Sequence, residues 1–287
     1  MKIISQIMEA IPKIDRKAKE IEITVGELAG VIDYTMLFPY ATESSLERLC
    51  EEAKTYGFNS VTVSSYYTKF CADRLEGEDV GVDPVVGFPL GQTTSEEKAF
   101  ETKRAVEDGA TEIDMVMNIG AFRDEKYEFV RDEIRAVIDA AEGNLVKVII
   151  GAGYLTYEEV CEASELVRDA GADFVKNSTG FGPFGANIPH IRLMREAVDG
   201  DCGVKAAGGI RDFRDALRMI AAGANRIGAS GGVEIVDSYQ AADRVDWFTG
   251  EVPCSLCPSR KVSASDVPES VFRYYESKCA DCVFEGE

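Results

Sequence analysis

Two lysines and an aspartate stand in segments where a charge is costly. Lys176 lies in FVKNSTG, Lys205 in VKAAGG and Asp114 in EIDMV, each within a short β-branched run. Buried lysines and carboxylates persist when they are paired or put to use. Two ammonium groups held close together repel, and each lowers the other's pKa. A lysine lowered in this way is a free amine near neutral pH, the species that attacks a carbonyl carbon. A carboxylate beside it can move protons to and from the carbinolamine and the enamine. That chemistry is Schiff-base formation on one lysine of the pair Lys176 and Lys205, with the other as the perturbing neighbour and Asp114 as a proton carrier. The same three residues could instead form a buried ion-pair network without chemistry.

The elements that must hold these groups repeat along the chain. From residue 31 to about 240 a short β-branched run is followed by Gly, Pro, Ser or Thr and then an amphipathic helix. Strands are predicted at 31–37, 60–64, 84–88, 112–118, 146–150, 173–178, 203–207 and 226–230. Several of the intervening helices end in Gly, and Ser95, Thr156 and Asp212 stand where N-caps belong. Eight strand–helix units favour a closed α/β fold, the (β/α)8 TIM barrel, over an open doubly wound sheet. No G-x-G-x-x-G follows the first strand, which weakens the open-sheet alternative. The predicted organisation is an N-terminal helical extension over 1–27, a barrel over 28–247 and a small appendage over 248–287.

In such a barrel, catalytic groups sit at the C-terminal ends of the strands. Lys176 and Lys205 fall on the sixth and seventh strands, which are neighbours. The loops after strands seven and eight read AAGGIRD and GASGGVEI. Their exposed N–H groups, at Gly208, Gly209, Ser230, Gly231 and Gly232, suit a phosphate. Ser178, Thr179 and Gly180 add hydroxyl and backbone donors beside them.

Composition bounds the partners. The 287 residues carry a net charge of −20, which repels nucleic acid and anionic membranes without excluding a phosphorylated substrate from a locally basic pocket. No apolar run is long enough to cross a bilayer, and the N-terminus lacks a signal-peptide pattern. The expected location is the cytoplasm. The single His, His190, excludes a His-rich catalytic metal site.

The appendage carries Cys254-x-x-Cys257 and Cys279-x-x-Cys282, separated by 21 residues. Two such knuckles read as a tetrahedral structural zinc site. Two disulfides, free thiols or an iron–sulfur cluster are the alternatives. Arg260, Lys261, Arg273 and Lys278 are offset by nearby acidic residues, so the tail does not read as a nucleic-acid module.

Four strings, PVVGFPLGQTTSEEKAFETKRAVEDGATEIDMVMNIGAF, VKVIIGAGYLT, DFVKNSTGFGP and VKAAGGIRD, resemble 2-deoxyribose-5-phosphate aldolases of the DeoC type. The resemblance runs in order from about residue 28 to 240. It implies that Lys176 forms the Schiff base, that Lys205 lowers its pKa, and that Asp114 relays protons with a bound water. It implies reversible cleavage of 2-deoxy-D-ribose 5-phosphate to acetaldehyde and D-glyceraldehyde 3-phosphate, with no cofactor for catalysis and a homo-oligomeric state. Against the family's usual strings, Tyr34 replaces His, Phe38 replaces Lys, and Thr62, Ser64 and Ser65 alter the second strand's end. Gly151 and Ala152 replace Glu and Thr, and Asn177 stands for Thr. All of these are expected near the pocket. They leave open a Schiff-base aldolase with a different aldehyde or sugar phosphate, and a non-catalytic phosphometabolite-binding protein.

Overall fold

A computed structural model describes residues 18, 21–200 and 202–242. The N-terminal extension before residue 18 and the four-cysteine appendage lie outside these residues. Eight parallel strands close into a barrel in sequence order: β1 (Ile32–Met36), β2 (Ser60–Ser64), β3 (Gly81–Val86), β4 (Glu112–Val116), β5 (Leu145–Ile149), β6 (Phe174–Lys176), β7 (Gly203–Ala207) and β8 (Arg226–Ala229). β1 pairs with β8, so the described sheet has no free edge.

The helices run around this sheet. They are α1 (Val25–Ala29), α2 (Glu43–Tyr56), α3 (Thr68–Leu75), α4 (Ser95–Glu107), α5 (Ile119–Arg123), α6 (Tyr127–Ala140), α7 (Tyr157–Ala170), α8 (Ile188–Val198), α9 (Phe213–Ala222) and α10 (Gly232–Ala242). Their starts follow local chemistry. Thr42, Thr94 and Thr156 each accept from the N3 backbone N–H in a capping box. Ser95 is therefore the first residue of α4 and not its cap; Thr94 with Glu97 forms the stronger reciprocal pair. α2 and α7 stop where Gly57 and Gly171 take the left-handed conformation.

Strand pleat separates two environments. Val61, Val63, Ile113, Met115, Val148, Val175, Val204 and Ile227 are fully buried and alternate with the inward residues, forming the layer between sheet and helices. Tyr34 belongs to that outer layer. Its ring packs against Phe58, 5.0 Å between centroids, and its hydroxyl donates to Glu52 Oε2 at 2.6 Å. The Tyr34 substitution thus lies on the helix side of β1 and not near the pocket, because its pleat position faces outward.

His190 is also buried, near the start of α8. Asn187 Nδ2 lies 2.9 Å from its Nδ1, and Tyr157 meets the ring edge-on. Burial depresses its pKa to about 4. The neutral imidazole stabilises the fold fully above about pH 6.5, and that stability is lost as pH falls through about 4. The loss amounts to about 3 kcal/mol. As this is the chain's single His, its imidazole resonance should titrate with a midpoint near 4 by NMR; a midpoint near 6.5 would contradict the buried placement.

Candidate active site

Inside the barrel, period-2 alternation brings charged side chains from seven strands together. The carboxylates come from the first half: Asp33 on β1, Asp83 on β3, Glu112 and Asp114 on β4. The cations come from the second half: Lys147, Lys176, Lys205 and Arg226 on β5 to β8. Four negative and four positive groups balance, which removes the cost of an isolated buried charge.

The network has a floor and a top. At the floor Arg226 Nη1 donates to Asp33 Oδ1 at 2.8 Å and reaches Glu112 Oε2 at 3.1 Å. Lys147 Nζ lies 2.7 Å from Glu112, 2.8 Å from Asp83 and 3.1 Å from Asp114, as ion-pair contacts without hydrogen-bond alignment. In the middle Lys205 Nζ stands 2.7 Å from Asp33 Oδ2, 2.7 Å from Asp114 Oδ2 and 2.9 Å from Asp83 Oδ2. A Cβ on Gly228 would lie 3.1 Å from Lys205 Cε, so glycine there leaves room for the lysine stem. At the top Lys176 Nζ donates to Asp114 Oδ2 at 2.5 Å. One carboxylate oxygen thus bridges the two lysines that the sequence singles out.

The three lysines differ in state. Burial lowers the Lys176 ammonium below the ordinary lysine value; Asp114 opposes this and Lys205 reinforces it. Burial would lower Lys205 as well, but Asp114, Asp33 and Asp83 outweigh it and hold the pKa above the ordinary value. Lys147 is raised in the same way by Asp114, Asp83, Asp33 and Glu112. Asp114, against its own desolvation, is held well below the usual carboxylate range by Lys147, Lys176 and Lys205. The barrel therefore offers one lysine whose surroundings favour the free amine, resting on a carboxylate that its three lysine neighbours favour in the charged form.

Lys176 is also the lysine that meets the outside. It lines a cavity of about 460 Å³ at the C-terminal end of the barrel, while Lys205, Lys147 and Asp114 lie sealed beneath. Thr179, Gly180, Gly208, Gly209, Ser230 and Gly231 line that cavity with it. Ser178 does not face it. Its hydroxyl donates to Ala207 O at 2.8 Å and accepts from Gly180 N, bracing the loop against β7. Gly232 is buried beneath Tyr34 and Phe58, and a Cβ there would come within 2.9 Å of the Tyr34 ring. It begins α10 and does not line the cavity.

Of the positions that depart from the family's strings, Phe38 alone lines this cavity. Thr62 lies below it and donates to Asp83 Oδ2 at 2.9 Å. Ser65 turns away to Glu101. Gly151 has φ 63 and lines a smaller hollow with Ile119 and Tyr154. Asn177 alternates away from Lys176 and accepts from Ala207 N at 2.7 Å.

Asp83 is the one network residue that falls outside every predicted strand. With the third strand begun at Pro84, Asp83 falls in a loop. The strand starts three residues earlier, at Gly81, and the aspartate is fully buried. Its signal is the same as that of Asp114: an acid two positions before a strand valine, Val85 here and Val116 there.

Comparison with known proteins agrees with this geometry. A family model described as DeoC/LacD family aldolase matches residues 29–240. The chain belongs to that family of (β/α)8-barrel aldolases. It is 53% identical over 212 residues to the deoxyribose-phosphate aldolase of Clostridium tetani, covering 74% of this chain and 98% of that protein. It is 54% identical over 215 residues to the deoxyribose-phosphate aldolase of Thermococcus kodakarensis, covering 74% and 96%. Among solved structures, the tetrameric deoxyribose phosphate aldolase of Aeropyrum pernix superposes with a TM-score of 0.75 at 33% identity, covering 80% of this chain and 97% of that one. No described helix is long and apolar enough to cross a membrane.

Proposed function

We propose that this chain is a class I aldolase that cleaves 2-deoxy-D-ribose 5-phosphate reversibly to acetaldehyde and D-glyceraldehyde 3-phosphate. The observation that carries this reading is Lys176: of the three interior lysines, it lines the cavity and burial lowers its pKa. The free amine attacks the C1 aldehyde of the open-chain sugar to give a carbinolamine, and loss of water leaves an iminium ion. The iminium draws the electron pair of the C2–C3 bond as the C3 hydroxyl loses its proton, releasing the three-carbon aldehyde and leaving an enamine. Protonation at C2 and addition of water return acetaldehyde and the lysine.

Asp114, 2.5 Å from Lys176 Nζ and 2.7 Å from Lys205 Nζ, is placed to exchange protons at the carbinolamine. Lys205 stays charged below it and biases Lys176 toward the amine. Gly208, Gly209, Ser230 and Gly231, at the loops after β7 and β8, supply backbone donors for the 5-phosphate, with Thr179 and Gly180 beside them. No cofactor enters these steps.

Borohydride trapping tests the proposal. The protein is incubated with 2-deoxyribose 5-phosphate or with acetaldehyde, reduced, and mapped by peptide mass. A reduced adduct on Lys176 is expected with both. No adduct with either would end the Schiff-base reading.

For the tail, the proposal is a structural zinc ion held by Cys254, Cys257, Cys279 and Cys282, supported by their spacing. Elemental analysis should find about one zinc per chain, lost when Cys254 and Cys257 are changed to serine; zinc-free wild-type protein would contradict it. A cytoplasmic homo-oligomer is the assembly proposed.

A further inference from the structure

Glu234 is the one acidic side chain that lines the cavity among the described residues. It stands in the first turn of α10, directly after the loop Ser230–Gly231. Its Oε2 hangs over that loop: a Cβ built on Gly231 would lie 3.5 Å from it. The carboxylate is exposed and makes no hydrogen bond or ion pair with the described residues.

A helix start attracts one anion through its free N–H groups and the positive end of its dipole. Here the chain brings its own anion to that end. A substrate phosphate arriving at the same loop meets a carboxylate a few ångströms away, and like charges at that range repel strongly enough to alter affinity severalfold. Arg211, on the facing β7 loop, also lines the cavity and supplies the opposite charge. The phosphate end of the cavity therefore carries one positive and one negative side chain, both exposed.

We propose that Glu234 is a specificity-determining residue that weakens the cavity's hold on the phosphate group and so narrows the preference for phosphorylated over unphosphorylated sugars. The proposal rests on the placement of the substrate phosphate in the β7 and β8 loops. Glu234 touches no reacting atom; it acts on the remote end of the substrate. Its effect belongs in KM for charged substrates and leaves kcat alone.

The test uses the full chain as wild type, Glu234→Gln and Glu234→Ala. Inorganic phosphate is titrated into each by calorimetry, and KM and kcat are measured for 2-deoxyribose 5-phosphate and for 2-deoxyribose. Both variants should bind phosphate about fivefold more tightly. They should lower KM for the phosphorylated sugar by a similar factor, with kcat within about twofold and KM for 2-deoxyribose unmoved. Unchanged phosphate affinity in both variants, or no phosphate binding to any of the three proteins, would overturn the proposal. So would an equal shift in KM for both sugars, which points to shape and not charge. Failure of the aldolase reading looks different: no adduct on Lys176 and no turnover of either sugar, while the phosphate titration still decides the part played by Glu234.

Discussion

Replacing Lys176 with alanine is expected to cut turnover of 2-deoxyribose 5-phosphate by at least about 10⁴-fold while the barrel stays folded. The covalent route needs an amine at this position, and Lys205 and Lys147 cannot substitute. Both are fully buried below the cavity, and their carboxylate partners hold them as ammonium ions. Loss of Lys176 removes one cation, but it is the one that meets the cavity, and Asp114 keeps two others, Lys205 at 2.7 Å and Lys147 at 3.1 Å. Circular dichroism should be unchanged and the melting temperature only modestly lower. A coupled assay for the released three-carbon aldehyde reads the turnover. Residual activity within tenfold of wild type would show that the lysine is structural and that the ion-pair alternative was right.

Lys205→Met is expected to damage both stability and activity. This lysine touches Asp33, Asp83 and Asp114, all fully buried. Removing it leaves four interior carboxylates facing three cations. Breaking a buried pair by deleting one partner costs about 3–5 kcal/mol, because the remaining charge is stranded. Activity falls for a second reason. Lys176 loses the repulsion that favours its amine and keeps the attraction of Asp114, so it holds its proton to higher pH. The acid limb of kcat/KM, which rises as Lys176 loses its proton, should move to higher pH.

A double variant separates the two effects. Lys205→Met with Asp83→Asn restores the balance of charge, and Asp83 is the apt partner because burial and Asp114 already push its pKa up. Chemical denaturation should recover at least half of the lost stability, whereas turnover should stay low. A single variant as stable as wild type, or a double variant no better than the single, would refute this account of the network.

Much of this site could be read from the residue string. Lys176, Lys205 and Asp114 were legible because each is a charge inside a β-branched run, and a charge in such a run needs a reason. The barrel was legible because strand and helix patterns alternate eight times. What escaped was whatever depends on where a strand begins. Alternation assigns faces only once a start is fixed. A proline usually opens a strand, and Pro84 drew the start of β3 past Asp83. The same one-residue logic placed Tyr34 in the pocket when its pleat position faces the helices, and put Gly232 in the phosphate loop when it already begins α10. Ser178 illustrates a different gap. Its hydroxyl suits a ligand as well as it suits Ala207 O, and composition cannot say which takes it. Lys147 stands in the predicted strand 146–150, but its three partners on β3 and β4 appear only when the barrel closes.

The split of interior charge along the chain has a consequence for assembly. The charged groups turned inward are all acidic on the first four strands and all basic on the last four, so the barrel consists of two half-shells of opposite sign. Neither half can close on itself, since each would line its own interior with mutually repelling groups. Asp33 meets Arg226 across 193 positions of sequence, and Lys205 meets Asp83 across 122. A nascent chain that has released only its acidic half carries a surplus no local contact can cancel. The arrangement makes a half-barrel intermediate poor and the complete ring the first neutral state, so that synthesis of the eighth strand, and not of the fourth, marks the point at which this molecule can settle.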